Sequence, residues 1–322
     1  LRDLMWRLGK WNTPALLEWV QSFSPDVIFF AAGDYAFPYR IALRLSALLH
    51  IPIVMWCADD FYIEPLRHGP LLRRMQCRRL VKLAEKIVRR SGTVVTISDM
   101  MQRDYARLFQ TPAETVRISG KPNPYALPEE SRSGIVYAGN LGINRITPLV
   151  SLGRALKEAA IAGFETIHVY SGERNPAILQ QLKEENGLTY CGRIPAQEVE
   201  RVLGASKFII FTEAFDRSSI CRTKYSLSTK IAESLRSGAC ILAYGPDEIA
   251  SIDYLKQHHS ACILREAGEL PGTVQRLCAA PEEYRAYTQS ARSLAEQFHS
   301  AECNETRMKE ILAEAIRNFS TI

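Results

Sequence analysis

Short apolar runs alternate with helix-patterned stretches along almost the whole of this chain, and they do so in two series. Residues 26–32 (DVIFFAA), 52–57, 93–98 (TVVTIS) and 114–119 read as strands, with helical patterns at 41–50 and 99–109. A second series starts at 134–138 (GIVYA) and continues through 166–170, 188–191, 208–212 and 239–244, with helices at 148–162 and 196–205. Runs this short and this uniformly apolar are buried on both faces, as in parallel sheets joined by crossover helices. Helical patterns then run from Pro281 to the end, the last of them amphipathic around 306–319.

Residues 121–132 (KPNPYALPEESR) lie between the series and are rich in Pro and polar residues, the composition of a linker. The predicted organisation is an α/β fold with two Rossmann-like parallel-sheet domains facing a cleft. The expected bounds are 1–126 and 133–300, with a closing helix over 301–322. Ligands of open α/β sheets sit at the carboxyl ends of the strands. The loops after 52–57, after 134–138 and after 208–212 are therefore the places to look for chemistry.

At 322 residues, 47% apolar and 23% charged, the chain can bury a substantial core and has the balance of a soluble globular protein. No apolar run approaches the ~18–20 residues that span a bilayer, and no signal-peptide pattern opens the sequence. The eight cysteines are scattered without a CxxC pair, which predicts reduced thiols and a cytoplasmic location. The chain opens at Leu1, inside a helical pattern, which predicts an N-terminally incomplete first domain.

Charge is unevenly spread. Residues 1–130 carry 18 Lys and Arg against 13 Asp and Glu, and the rest carry 22 against 22. Much of the excess lies in residues 71–90 (LLRRMQCRRLVKLAEKIVRR), where apolar positions alternate with Arg and Lys. Such a helix can touch an anionic lipid surface. The same pattern fits a core-packed helix with a solvated basic face. Nucleic acid is not the expected partner, because no reading motif or aromatic interleaving accompanies the charge.

Three segments can carry chemistry. Residues 225–246 (YSLSTKIAESLRSGACILAYGP) read as a polar loop, a short helix and a buried strand. Ser228 or Thr229 can cap the helix, Gly238 ends it, and Lys230 and Glu233 share one face. A helix N-terminus with an adjacent lysine suits a diphosphate, and an acid one turn on can accept from sugar hydroxyls. An ordinary surface helix with an i,i+3 ion pair would look the same. The loop Gly139-Asn140-Leu141-Gly142-Ile143-Asn144-Arg145 follows a strand, with glycines for close backbone approach and Arg145 as a permanently charged fork. It is neither GxGxxG nor a Walker loop, so it can equally be a Gly-Asn turn with a surface arginine. Asp59 and Asp60 stand after a buried strand in WCADDFY, where one can orient or deprotonate a hydroxyl, or simply cap the next helix. No third carboxylate or His stands nearby at metal spacing, and the six histidines form no cluster.

Read together, these segments resemble the retaining glycosyltransferases of family 4, which have the two-domain GT-B fold. TVVTISDMMQRDY resembles the family's strand, serine and helix at the back of the first domain. YAGNLGINR, CGRIPAQEV and STKIAESLRSGACILA resemble its glycine loop, its Gly-Arg-hydrophobic-Pro turn and its donor-binding helix, and residues 281–299 its closing helices. The resemblance implies that Glu233 holds the donor ribose. It places Ser228, Thr229 and Lys230 against the diphosphate with Gly139 and Asn140, and Arg145 where the family has a phosphate-binding lysine. Asp59 and Asp60 remain for the catalytic side. Three positions depart from the family: Asn140 replaces an arginine, Tyr225 an acid, and Ala58 a histidine. The implied activity is transfer of a hexose from a nucleotide-diphosphate sugar to a glycan or lipid-linked acceptor, with retention of configuration and without metal or other cofactor. The same architecture also serves a sugar-nucleotide epimerase. The missing acid and histidine leave room for a catalytically silent binder of nucleotide sugars.

Overall fold

The computed structural model describes residues 2–319 and divides into two compact units, residues 1–117 with 304–322 and residues 118–303.

The first unit is built on a parallel sheet in the order β1-β2-β3-β4, formed by β1 (Ile28–Ala31), β2 (Ile53–Cys57), β3 (Val94–Thr96) and β4 (Ala113–Thr115). The helix expected at 41–50 begins earlier, as Ala36–Leu49. Its start is fixed from far away in sequence: the Asp3 carboxylate accepts from the Ala36 and Phe37 amides at 3.2 and 2.9 Å. The basic stretch forms one helix, Leu71–Ser91, that packs through Cys77, Leu80, Ala84, Ile87 and Val88. Leu72 and Met75, read above as part of its apolar pattern, are exposed. Residues 116–119 do not extend β4, which pairs with β3 over three residues only.

The second unit carries a six-stranded parallel sheet in the order β10-β9-β8-β5-β6-β7. Its strands are β5 (Ser133–Ala138), β6 (Ile167–Tyr170), β7 (Leu188–Gly192), β8 (Ser206–Thr212), β9 (Cys240–Tyr244) and β10 (Cys262–Leu264). Its main core joins Ile135, Leu149, Ile167, Phe208, Leu242 and Val274 from both layers. The chain leaves β5 for β6 on one side and returns to β8 on the other, so β5 and β8 flank the switch point where such sheets bind ligands.

The expected linker 121–132 is docked on the second unit rather than suspended. Leu127 N donates to Gly204 O at 3.0 Å, and Asn123 Nδ2 donates to Glu200 O at 2.7 Å. The closing helix, Ala301–Phe319, belongs with the first unit from Asn304 onward, because Ile311 and Ala315 pack on Val54, Val95 and Val116. All eight cysteines are free thiols, four of them buried.

Candidate functional site

Within the second unit a cleft of about 640 Å³ opens at the carboxyl ends of β5, β6 and β7. Gly139, Asn140, Lys230 and Glu233 line one part of it, which brings together four of the residues singled out in the sequence. The opposite wall comes from the turns after β6 and β7 and the Ala196–Ala205 helix, with Ser171, Arg174, Arg193 and Glu200 facing in.

Lys230 is the centre of this arrangement. It lies in the first turn of the Thr229–Ser237 helix, and its Nζ donates to Tyr137 Oη at 3.1 Å. The ammonium stands 4.7 Å from the Tyr137 ring centre and 5.8 Å from that of Phe211. Among the described residues no carboxylate lies within ion-pair range of it, and Glu233, three residues on, does not pair with it. Burial and then repulsion from Arg145 push the Lys230 ammonium down to about 8, against opposing pulls from Glu213 and Glu233.

Gly139 makes room for that side chain. Its φ of +147° lies where a side chain is disfavoured, and a Cβ there would run into the Lys230 methylenes. Tyr137, fully buried on β5, donates its hydroxyl to Asn140 O at 2.7 Å while accepting from Lys230. One phenol thus fixes both the loop and the lysine. The loop continues through Ile143 and Asn144, both with positive φ, a strained pairing for a β-branched residue. Asn144 Nδ2 donates to Asp216 at 3.0 Å. That bond heads the causes that hold the Asp216 carboxyl below its ordinary value.

Arg145 stands elsewhere than the sequence suggested. It does not line the cleft. Its Nε and Nη2 each donate at 3.0 Å to the two oxygens of Glu213, a buried residue just beyond β8. Glu213 was not singled out in the sequence. The one available signal was an acid directly after a buried strand, in FIIFTE.

The helix N-terminus also differs in detail. Ser228 occupies the N-cap position, but its hydroxyl makes no capping bond. Its own amide donates to Ser251 Oγ at 3.0 Å, which orients the turn from outside the helix. The first-turn amides therefore have no side-chain cap. Thr229 lines a smaller adjoining pocket of about 180 Å³, shared with Glu233. Glu233 is exposed at the junction of the two; its carboxyl is raised by the protein surface around it and by Glu200, with Lys230 opposing. Tyr225, which stands where the resembled family has an acid, is buried.

Ser171 was also missed. It is 4% exposed beneath the cleft, and its Oγ has no hydrogen-bond partner, although its backbone is fixed by Gly192 O and Tyr190 Oη at 3.0 Å each. Such a buried hydroxyl costs about 1–3 kcal/mol until something pairs with it.

Asp59 and Asp60 lie in the first unit. Asp60 accepts from the amides of Tyr62, Ile63 and Glu64 at 3.0, 2.9 and 2.7 Å and from Tyr105 Oη at 2.8 Å. These bonds make it the organiser of the turn before the Glu64–His68 helix. Asp59 is the exposed member of the pair.

No protein-family profile matches the chain, and no curated protein sequence matches it either. Solved structures do. A glycosyltransferase from Rickettsia africae aligns over 96% of this chain and 84% of its own, with a TM-score of 0.70 at 12% identity. HepE of Anabaena, solved with UDP-glucose, aligns over 94% and 84%, with a TM-score of 0.66 at 14% identity. Sucrose-phosphate synthase of Thermosynechococcus elongatus aligns over 98% and 80%, with a TM-score of 0.65 at 12% identity. The chain has the GT-B fold. Its cleft in the second unit opens at the carboxyl ends of parallel strands, with Lys230 packed against Gly139 on one wall.

Proposed function

We propose that the chain is a glycosyltransferase that takes a hexose from a nucleotide-diphosphate sugar and passes it, with retention of configuration, to a glycan or lipid-linked acceptor. The observation that carries the donor half is Lys230: a desolvated ammonium without a carboxylate partner, held by Tyr137 over Gly139 beside an uncapped helix turn. Negative charge grows on the departing diphosphate as the sugar bond breaks, and fixed cations and helix amides stabilise it best where water is excluded. Lys230 supplies the cation without a metal ion, and Glu233 accepts from the ribose hydroxyls. Arg145, tied to Glu213, acts through its field and by shaping the loop. Asp59 is the carboxylate assigned to the acceptor side.

Asp60 spends its carboxylate on the turn it organises, and that favours a second reading, a nucleotide-sugar-binding protein without turnover. One pair of measurements tests both. A nucleoside diphosphate at ~100 times its Kd adds about 2.7 kcal/mol to stability, a thermal shift of about 5–10 °C for a unit of this size. No shift with any nucleoside diphosphate would sink both readings. Binding with neither transfer nor slow donor hydrolysis would leave only the second.

A further inference from the structure

The first unit displays large apolar side chains together with a surplus of positive charge. On the Leu71–Ser91 helix, Leu71, Leu72 and Met75 are 71%, 81% and 57% exposed, and they are followed on the exposed surface by Arg74, Arg78, Arg79, Lys82 and Lys86. Glu85 is the one acid in that helix. The Arg2–Leu8 helix exposes Leu4, Met5 and Leu8 beside Arg7. The two helices flank one loop. Trp6 stacks on Phe37 at 4.7 Å, Arg2 lies over the Tyr35 ring, and Arg73 and Gln76 of the basic helix hold Asp34.

We infer that this face docks on an anionic lipid bilayer. Flexible aliphatic and thioether side chains at a helix end enter the headgroup boundary, and the arginines that follow meet the lipid phosphates. Charge selects this occupant over the alternatives. A second copy related by a two-fold axis would set the same cations against one another. A nucleic acid would match the cations but leave Leu71 and Leu72 in water. The Leu71–Ser91 helix keeps its opposite face in the core, so it can dock without unfolding. The inference concerns the first unit and is independent of what the second-unit cleft binds.

Vesicle co-flotation of the full chain tests it, with phosphatidylcholine alone and with roughly 30 mol% phosphatidylglycerol, at about 0.05 and 0.5 M salt. Binding to the anionic vesicles should exceed binding to neutral ones at least tenfold and fall at high salt. L71S/L72S/M75S and, separately, R74E/R78E/R79E should each lower it at least tenfold, with an unchanged circular dichroism spectrum. All these positions are on the surface apart from the helix's buried face, so the fold should tolerate both. Equal binding to neutral vesicles, or full binding by either variant, overturns the inference. So does a dimer in light scattering that the apolar variant converts to monomer.

Discussion

The pair formed by Arg145 and Glu213 gives the sharpest test of how the second-unit site is built. Its side chains are 12% and 2% exposed, and two parallel hydrogen bonds of 3.0 Å join them. Replacing one member of a buried pair strands the other charge and typically costs ~3–5 kcal/mol. The lower figure applies here for two reasons. Arg145 retains some solvent, and Lys230 can shed its proton. Glu213 supports the Lys230 ammonium, so its loss should push that ammonium below its value of about 8 and relieve the repulsion from Arg145. Glu213→Gln should therefore cost roughly 3 kcal/mol, about two orders of magnitude in the unfolding equilibrium. With an m-value of ~2 kcal/mol/M, the urea midpoint should fall by about 1.5 M.

The distribution of tryptophans makes the measurement specific. Trp6, Trp11, Trp19 and Trp56 all lie in the first unit. Their fluorescence reports that unit, whereas far-ultraviolet circular dichroism reports both. The predicted change is a circular dichroism transition moved to lower urea while the tryptophan transition stays in place. Arg145→Gln should behave alike, and the double variant should cost clearly less than the sum, by at least about 1.5 kcal/mol, because neither charge is then stranded. Single costs below ~1 kcal/mol that simply add would show that the two residues are neighbours and not a coupled pair.

Other consequences are open to direct measurement. Affinity for a nucleoside diphosphate should be level below pH 8 and fall up to about tenfold per unit above it, and Lys230→Arg should remove the fall; calorimetry across pH 6.5–9.5 checks this. Free of ligand, the sign for stability is opposite. The unfolded chain holds the Lys230 proton more tightly, so this group's contribution to stability rises between pH ~8 and the ordinary lysine range near 10.4. Gly139→Ala should cost ~1–3 kcal/mol and abolish the diphosphate thermal shift, since it strains φ and displaces Lys230. Asp60→Ala should destabilise the first unit by ~1–2 kcal/mol by removing its cap, visible in tryptophan fluorescence. Asp59→Ala should reduce transfer, read in an assay of donor turnover with added acceptor.

Most of the sheet was legible because parallel strands buried on both faces leave continuous apolar runs, as in residues 52–57 and 208–212. What escaped depends on contacts remote in sequence. Residues 35–41 hold no Ser, Thr, Asp or Asn to cap a helix, because the carboxylate that holds its first amides is Asp3, more than thirty residues away. The proline-rich stretch has a linker's composition but binds the Ala196–Ala205 helix through Asn123 and Leu127. In the site, Lys230, Glu233, Gly139 and Asn140 could be found because helix period and loop glycine leave local marks. Glu213 and Ser171 could not. A buried carboxylate and a buried hydroxyl are informative only once it is known what surrounds them.

That contrast decides which cation the site offers to a ligand. Arg145 has the better fork for phosphate, but its Nε and Nη2 already hold Glu213 and its charge is neutralised where it stands. Lys230 is the poorer phosphate ligand in isolation, a single point charge. Yet it is desolvated, repelled by Arg145, and bonded only to a neutral phenol, an arrangement that destabilises its ammonium in the empty protein. A diphosphate would supply the anionic partner that this ammonium lacks and offset both costs, so the binding energy would be largest where the unliganded fold is least satisfied. The positive-φ Gly139 backbone and the unpaired Ser171 hydroxyl line the same cleft. Local conflicts of this kind, gathered at one place in an otherwise consistent fold, mark the surface that a ligand completes.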